Sequence, residues 1–197
     1  MKIEIPDNIK GLIFDCDGTL VDSMPLHMKA WEEAFKQFKT RFDYDYLYSL
    51  KGMKEIEIIK LYNKTFNTDL DPEGIVQVKH DYFAENIHSV TPIEPIVDIA
   101  KTYYKKSPLA VVSGSVKSIV HEELKVIGIL DLFDIIITAD DPYKPKPAPE
   151  IFLAAAVKIK VDPKDCIVFE DGDAGLEAAV NAGMQTVDIR KYIPGIL

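Results

Sequence analysis

Asp15 and Asp17 stand two residues apart directly after the apolar run Gly11-Leu12-Ile13-Phe14, and Gly18 follows them. The run reads as a β-strand that delivers carboxylates to its end. Side chains of an extended chain alternate faces, so both acids can point one way while Cys16 points the other. Gly18 then permits a sharp turn. Like charges held that close repel unless a cation sits between them, and an all-oxygen ligand set suits magnesium. The pair therefore points to a magnesium site. A calcium-binding helix-loop-helix is excluded, because its glycine occupies the sixth loop position and Gly18 falls at the fourth. A turn of solvated acids is the competing reading for so short a motif. Cys16, in an apolar run, reads as a small buried hydrophobe and not as a nucleophile.

Three further polar clusters have a similar setting. Ser113-Gly114-Ser115 follows the apolar run Leu109-Ala110-Val111-Val112, and Glu170-Asp171-Gly172-Asp173 follows Cys166-Ile167-Val168-Phe169. Lys144-Pro145-Lys146-Pro147-Ala148-Pro149 sets two lysines in a proline-stiffened loop ahead of a helical pattern. Each has an ordinary alternative: Ser113 can cap a helix, Lys146 can be solvated, and the acids can complement the positive end of their helix. Polar residues that follow the strands of a parallel sheet gather at one edge, where such sheets bind ligands.

The elements that must position these residues alternate along the chain. A helix near Glu94–Tyr104 precedes the run at Leu109–Val112. A helix from about Ser115 to Ile127, closed by Gly128 in the left-handed conformation, precedes Ile135–Ile137. A helix from Pro149 or Glu150 to Ile159 precedes Cys166–Phe169, and one over Asp173–Asn181, with Gly183 after it, precedes Thr186–Ile189. Short strands apolar on both faces, alternating with helices, specify an α/β fold with a doubly wound parallel sheet. From Met24 to about Thr91 no buried-strand run appears. Helical spacing dominates there, as in Ala30, Trp31, Ala34, Phe35 and Phe38, and in Ile56, Ile58, Ile59 and Tyr62. The chain thus divides into a core of residues 1–22 and 92–197 and a small helical insert over 23–91. Thr91-Pro92-Ile93-Glu94-Pro95 is the expected return linker. The aromatic patch Phe42–Tyr48 reads as packing within the insert, not as a sugar-stacking surface.

The 197 residues, 47% of them hydrophobic, suffice for a substantial core without staples. Cys16 and Cys166, both in apolar runs, fit a reduced cytoplasmic protein without a disulfide. The first residues lack the apolar segment of a signal peptide, and no stretch is long enough to span a bilayer, so no membrane partner is expected. A net charge of -9 argues against nonspecific nucleic-acid binding. No internal repeat or low-complexity segment is present, and a monomer is expected.

Taken together, the motifs resemble the haloacid dehalogenase superfamily of phosphotransferases, in the group of β-phosphoglucomutase and the small sugar phosphatases. Asp15-Cys16-Asp17-Gly18-Thr19-Leu20-Val21-Asp22-Ser23 is similar to the first motif and Val112-Ser113-Gly114-Ser115 to the second. Lys146-Pro147-Ala148-Pro149-Glu150-Ile151-Phe152 is similar to the third, and Glu170-Asp171-Gly172-Asp173-Ala174-Gly175 to the fourth. His27-Met28-Lys29-Ala30-Trp31 and Leu50-Lys51-Gly52 resemble the group's helical cap, which the insert would form over a Rossmann-like core.

The resemblance implies roles. Asp15 would attack phosphorus and become an aspartyl phosphate, and Asp17 would act as acid and base. Ser113, neighbouring backbone amides and Lys146 would hold the phosphoryl oxygens, with Gly18, Thr19, Gly114, Ser115, His27 and Lys51 around the phosphate and substrate. Magnesium would be held by Asp15, the backbone carbonyl of Asp17, Asp171, and Glu170 directly or through water. Some positions depart from the group. Glu55, preceded by Lys54, stands where the mutase has an Arg that grips a second phosphate. Lys79 falls near another lysine of the mutase and reads as a surface residue, Gly172 replaces Ser or Thr, and the chain stops soon after Ile189 without the final strand and helix of longer members.

The implied activity is a magnesium-dependent phosphatase acting on a small phosphorylated carbohydrate such as a fructose 1-phosphate-like ester. A β-phosphoglucomutase and a catalytically silent phospho-ligand-binding module are the alternatives. Asp17 and Asp171 speak against a dehalogenase.

Overall fold

A computed structural model describes residues 3–51 and 53–193, so Gly52 of the Leu50-Lys51-Gly52 motif lies outside the described residues. Five strands form one parallel sheet in the order β5-β4-β1-β6-β7. They are β1 (Gly11–Phe14), β4 (Leu109–Val112), β5 (Ile135–Ile137), β6 (Cys166–Glu170) and β7 (Gln185–Asp188). The core is thus the doubly wound Rossmann-like sheet expected.

Strand alternation explains the two layers. On β1, Leu12 and Phe14 face one layer and Ile13 the other; on β4, Leu109 and Val111 part from Ala110 and Val112 in the same way. The first layer packs on α5 (Glu94–Tyr103) and α6 (Lys117–Val126), through Ile96, Val97, Val120 and Leu124. The second packs on α7 (Glu150–Ile159) and α8 (Asp173–Asn181), through Phe152, Ala155, Ala178 and Ala179. A strand buried on both faces must be apolar throughout, which is why these runs show no polar alternation. Cys16 and Cys166 fall in opposite layers and are free thiols.

Between β2 (Val21–Asp22) and β3 (Thr91–Pro92) the described elements are helical: α1 (Met24–Gln37), α2 (Tyr44–Ser49), α3 (Glu55–Phe66), α4 (Pro72–Asn86) and a single 3₁₀ turn. β2 and β3 pair antiparallel, Val21 with Pro92 and Asp22 with Thr91, so the segment read as a linker is a clasp joining the two ends of the insert. The helices enclose their own core of Met28, Trp31, Phe35, Ile59, Tyr62 and Ile75. The aromatic patch belongs to it except for Tyr44: Phe42 meets Phe35 edge-on and Tyr46 meets Tyr62 and Phe66 the same way, while Tyr44 is exposed and stacks on Tyr48. Among the described residues, no helix is long and apolar enough to cross a membrane.

Register sets the working edge. Phe14 pairs with Phe169 and with Val111, and their side of the sheet is locked by stacking of the Phe14 and Phe169 rings at 4.7 Å. The residues at the strand ends and just beyond them are Asp15, Ser113, Glu170, which closes β6, and Asp171.

Candidate active site

At that edge, the Asp15 amide donates to the Phe169 carbonyl at 3.0 Å and its Oδ1 accepts from Lys146 Nζ at 2.6 Å. Lys146 also donates to Glu170 Oε1 at 2.7 Å and to the Val112 carbonyl at 3.3 Å, so it is buried and tethered, not solvated. Asp171 completes the group: carboxylate oxygens of Asp15, Glu170 and Asp171 lie within 4.8 Å of one another. Lys51 Nζ, from the helical insert, donates to Asp171 Oδ2 at 2.9 Å, and Thr19 Oγ1 reaches Asp171 Oδ1 at 3.5 Å. Burial, then the neighbouring Glu170, pushes the Asp171 carboxyl up. Burial likewise pushes Asp15 well above the carboxylate range, with Glu170 and Asp171 adding and Lys146 opposing. Three buried carboxylates in one all-oxygen cluster fit a hard divalent cation, which would reverse that upward push.

Two glycines make room for this cluster. Gly18 has φ +78°, and a Cβ there would lie 2.7 Å from Asp171 Oδ2. A Cβ on Gly175, in the first turn of α8, would fall 1.7 Å from Glu170 Oε1. Glu170 Oε2 accepts from the Gly172 amide at 2.6 Å, so the acid also meets the start of its helix, as one structural alternative had it.

Asp17 does not join this cluster through its side chain. The strand ends at Phe14, and the Cys16 carbonyl then accepts from the amides of Thr19, Leu20 and Val21, so a turn replaces the expected alternation. The expected cation between the Asp15 and Asp17 carboxylates is therefore corrected to a cluster without the Asp17 carboxylate. Instead, Asp17 Oδ1 accepts from Ser23 Oγ at 2.7 Å and His27 Nε2 at 2.8 Å. Its Oδ2 accepts from Ser115 Oγ at 2.8 Å and Ser113 Oγ at 3.3 Å. Ser113 does not cap α6; its Oγ takes the Ser115 amide at 3.0 Å, while the Lys117 amide goes to Asp140. Burial pushes Asp17 up, but His27, Ser23 and Ser115 outweigh it and hold the carboxyl well below its ordinary range.

Behind His27 lies a chain of charged groups centred on the buried Lys79. Lys79 Nζ donates to His27 Nδ1 at 2.7 Å and to Glu55 Oε1 at 2.5 Å, and His80 Nε2 pairs with Glu55 Oε2. An ammonium only donates, so Nδ1 is the acceptor and Nε2 carries the proton given to Asp17. Lys79 is 0% exposed, which corrects its reading as a surface lysine. The signal was present: with Ile75, Val76 and Phe83, Lys79 occupies the inward stripe of α4, an apolar slot that only a paired charge can fill.

One cavity joins these groups. It is lined on the sheet side by Asp15, Asp17, Gly114, Ser115, Lys146, Glu170 and Asp171, and His27, Lys51 and Glu55 reach it from the insert. The rest of the insert wall is apolar: Met24, Met28, Trp31, Leu47, Met53 and Ile58. Ser113 and Lys54 line a smaller adjoining pocket behind Lys146.

A family model described as haloacid dehalogenase-like hydrolase matches residues 12–189. The chain belongs to the haloacid dehalogenase-like hydrolases. It is 37% identical over 181 residues to fructose-1-phosphate phosphatase YqaB of Escherichia coli, covering 91% of this chain and 96% of that protein. It is 29% identical to β-phosphoglucomutase of Bacillus subtilis, covering 94% and 85% of the two chains. Among solved structures, a hydrolase from Pseudomonas syringae shares the fold with a TM-score of 0.82 at 24% identity, over 95% of this chain and 88% of that one. With phosphatases and phosphomutases as its kin, this haloacid dehalogenase-like hydrolase is an enzyme of phosphoric monoesters.

Glu123 of α6 is a group of this hydrolase that the motifs do not mark. It is 0% exposed, its one oxygen accepts from Cys16 Sγ at 3.5 Å, and its Oε1 has no partner among the described residues. Burial, then Asp17, pushes its carboxyl well up, and burial, then Glu123, pushes the Cys16 thiol well up. Cys16 is thus the inert buried thiol expected.

Proposed function

We propose that this hydrolase is a magnesium-dependent phosphatase of a small phosphorylated carbohydrate, a fructose 1-phosphate-like ester being the model substrate. The observation that carries the reading is the division of labour between two carboxylates on one cavity. Asp15 sits among the acids with Lys146 on its oxygen, and Asp17 sits apart among four donors.

In this reading an Asp15 oxygen attacks phosphorus as the bond from phosphorus to the sugar oxygen breaks, giving an aspartyl phosphate. Asp17 protonates the departing oxygen. A water then attacks the phosphorus, Asp17 takes its proton, and Asp15 is released with inorganic phosphate. The donors around Asp17 keep it ionised for the second half, and the proton gained there serves the next leaving oxygen. Lys146, with the backbone at Gly114, holds the phosphoryl oxygens. Asp15, Asp171, Glu170 and the backbone carbonyl of Asp17 would hold magnesium, which supplies charge neutralisation at the phosphoryl oxygens. The helices α1–α4 act as a cap that excludes water from the covered substrate.

Phosphate release is to be measured across a panel of sugar phosphates, with magnesium and with chelator, and with Asp15→Asn as the blank. Release from one or a few esters, lost in both controls, is expected. Release by Asp15→Asn at the wild-type rate sinks the mechanism. The second reading, a β-phosphoglucomutase, draws on the Bacillus subtilis relative. Glu55 on the cavity wall opposes a second phosphate, and a coupled assay for glucose 6-phosphate from β-glucose 1-phosphate separates the two.

A further inference from the structure

We propose that the cavity selects phosphate monoesters whose alcohol portion carries no charge, and that Glu55 sets this selectivity by neutralising Lys79. The inference rests on the phosphatase reading and names the substrate class of the same cavity.

The cavity has two unlike ends. Charged and hydroxyl groups crowd the sheet edge, where the phosphoryl group is handled. The far wall offers thioethers, an indole and aliphatic carbons from Met24, Met28, Trp31 and Ile58, interrupted by one carboxylate, Glu55. Such a wall packs on the C–H faces of a polyol and gives an anion no partner. The lysines among the described lining residues are Lys146 and Lys51, and both are spent at the sheet edge, on Asp15 and Glu170 and on Asp171.

Lys79 is the cation that would otherwise answer an anionic tail. Its ammonium lies behind the wall, 5.0 Å from the Phe83 ring and 5.7 Å from the Trp31 ring, fixed between His27 and Glu55. A buried ammonium without a counter-charge is strongly unfavourable, so Glu55 stays ionised to hold it. Burial pushes Glu55 up, but Lys79 and then His80 bring it down to about 2. The pair is neutral as a unit, yet its negative member is the one that lines the cavity. An anionic tail there meets a like charge in a low-dielectric enclosure, whereas a sugar hydroxyl can donate to a remaining Glu55 lone pair.

The test uses matched pairs, fructose 1-phosphate with fructose 1,6-bisphosphate and glycerol 3-phosphate with 3-phosphoglycerate. For each, kcat/KM is measured for the wild type and for Glu55→Gln, which keeps the shape of the side chain and uncovers the Lys79 charge. Binding is measured in parallel in the Asp15→Asn background through fluorescence of Trp31, the chain's single tryptophan, which lines the wall. We expect the wild type to favour the uncharged member of each pair by roughly tenfold or more, and Glu55→Gln to shrink that ratio by a similar factor. Should Glu55→Gln not fold, Met53→Lys adds a cation to the same wall and is expected to shrink the ratio too. Equal handling of both members by the wild type, or an unchanged ratio in a folded variant, overturns the proposal. Absence of phosphate release from every ester strikes the phosphatase reading instead, and the binding ratios then decide the selectivity by themselves.

Discussion

Nε2 of His27 lies 2.8 Å from Oδ1 of Asp17, while Nδ1 of the same ring lies 2.7 Å from Nζ of Lys79. The imidazole thus ties Asp17, the proton carrier proposed above, to a buried charge on α4. Replacing His27 by Ala removes one of four donors to Asp17 and one acceptor from Lys79. The expected outcome is a fall in kcat of about a hundredfold with a smaller change in KM, matching the loss of a group that orients an acid–base residue. Steady-state kinetics check this, and a pure KM effect contradicts it.

Gly175→Ala places a methyl where Glu170 Oε1 now lies, with 1.7 Å of separation. Glu170 must move off Lys146, and the acid cluster is disturbed while the sheet beneath is untouched. Activity is expected to drop about a hundredfold or more, with destabilisation of about 1–3 kcal/mol from the overpacking. Urea titration alongside kinetics distinguishes this from a global unfolding.

The acid cluster also predicts a response to metal. Asp15, Glu170 and Asp171 are short of positive charge. Magnesium at a hundred times its dissociation constant is expected to stabilise the fold by about 2.7 kcal/mol, since it binds the native state alone. The melting temperature should rise with magnesium, return with chelator, and stay flat in Asp171→Asn. An equal rise in that variant would remove Asp171 from the ligand set.

Glu55 gives a pH dependence of definite sign. Its carboxyl is held at about 2 against an ordinary 4.5, burial opposing and Lys79 and His80 prevailing. A depressed carboxylate stabilises fully above the unfolded value, so its contribution is intact above about pH 4.5 and lost as pH falls toward 2. Because the side chain is a quarter exposed, the amount is on the order of 2 kcal/mol. Urea unfolding of wild type and Glu55→Gln near pH 6 and pH 3 should show the gap between them closing at the lower pH. A constant gap rules the assignment out.

Most of the core was legible in the chain itself. Strands buried on both faces must be apolar over their whole length, so β1, β4 and β6 announce themselves, and the polar residue after each run marks the binding edge. The motif residues Asp15, Ser115, Lys146 and Asp171 line one cavity because parallel strands in this register end level. The helical character of the insert was legible from its spacing, and so was the structural role of its aromatics.

The division between Asp15 and Asp17 was not legible, because alternation governs a strand and β1 stops at Phe14. The inward stripe of α4 marked the slot of Lys79, but not the partners that permit its burial: Glu55 and His27 lie 24 and 52 residues away. Composition and periodicity determined which segments become strands and helices and which polar residues reach the edge of the sheet. Tertiary packing alone decided which charges meet, because pairing across such separations depends on how the helices of the insert dock and leaves no local trace in the sequence.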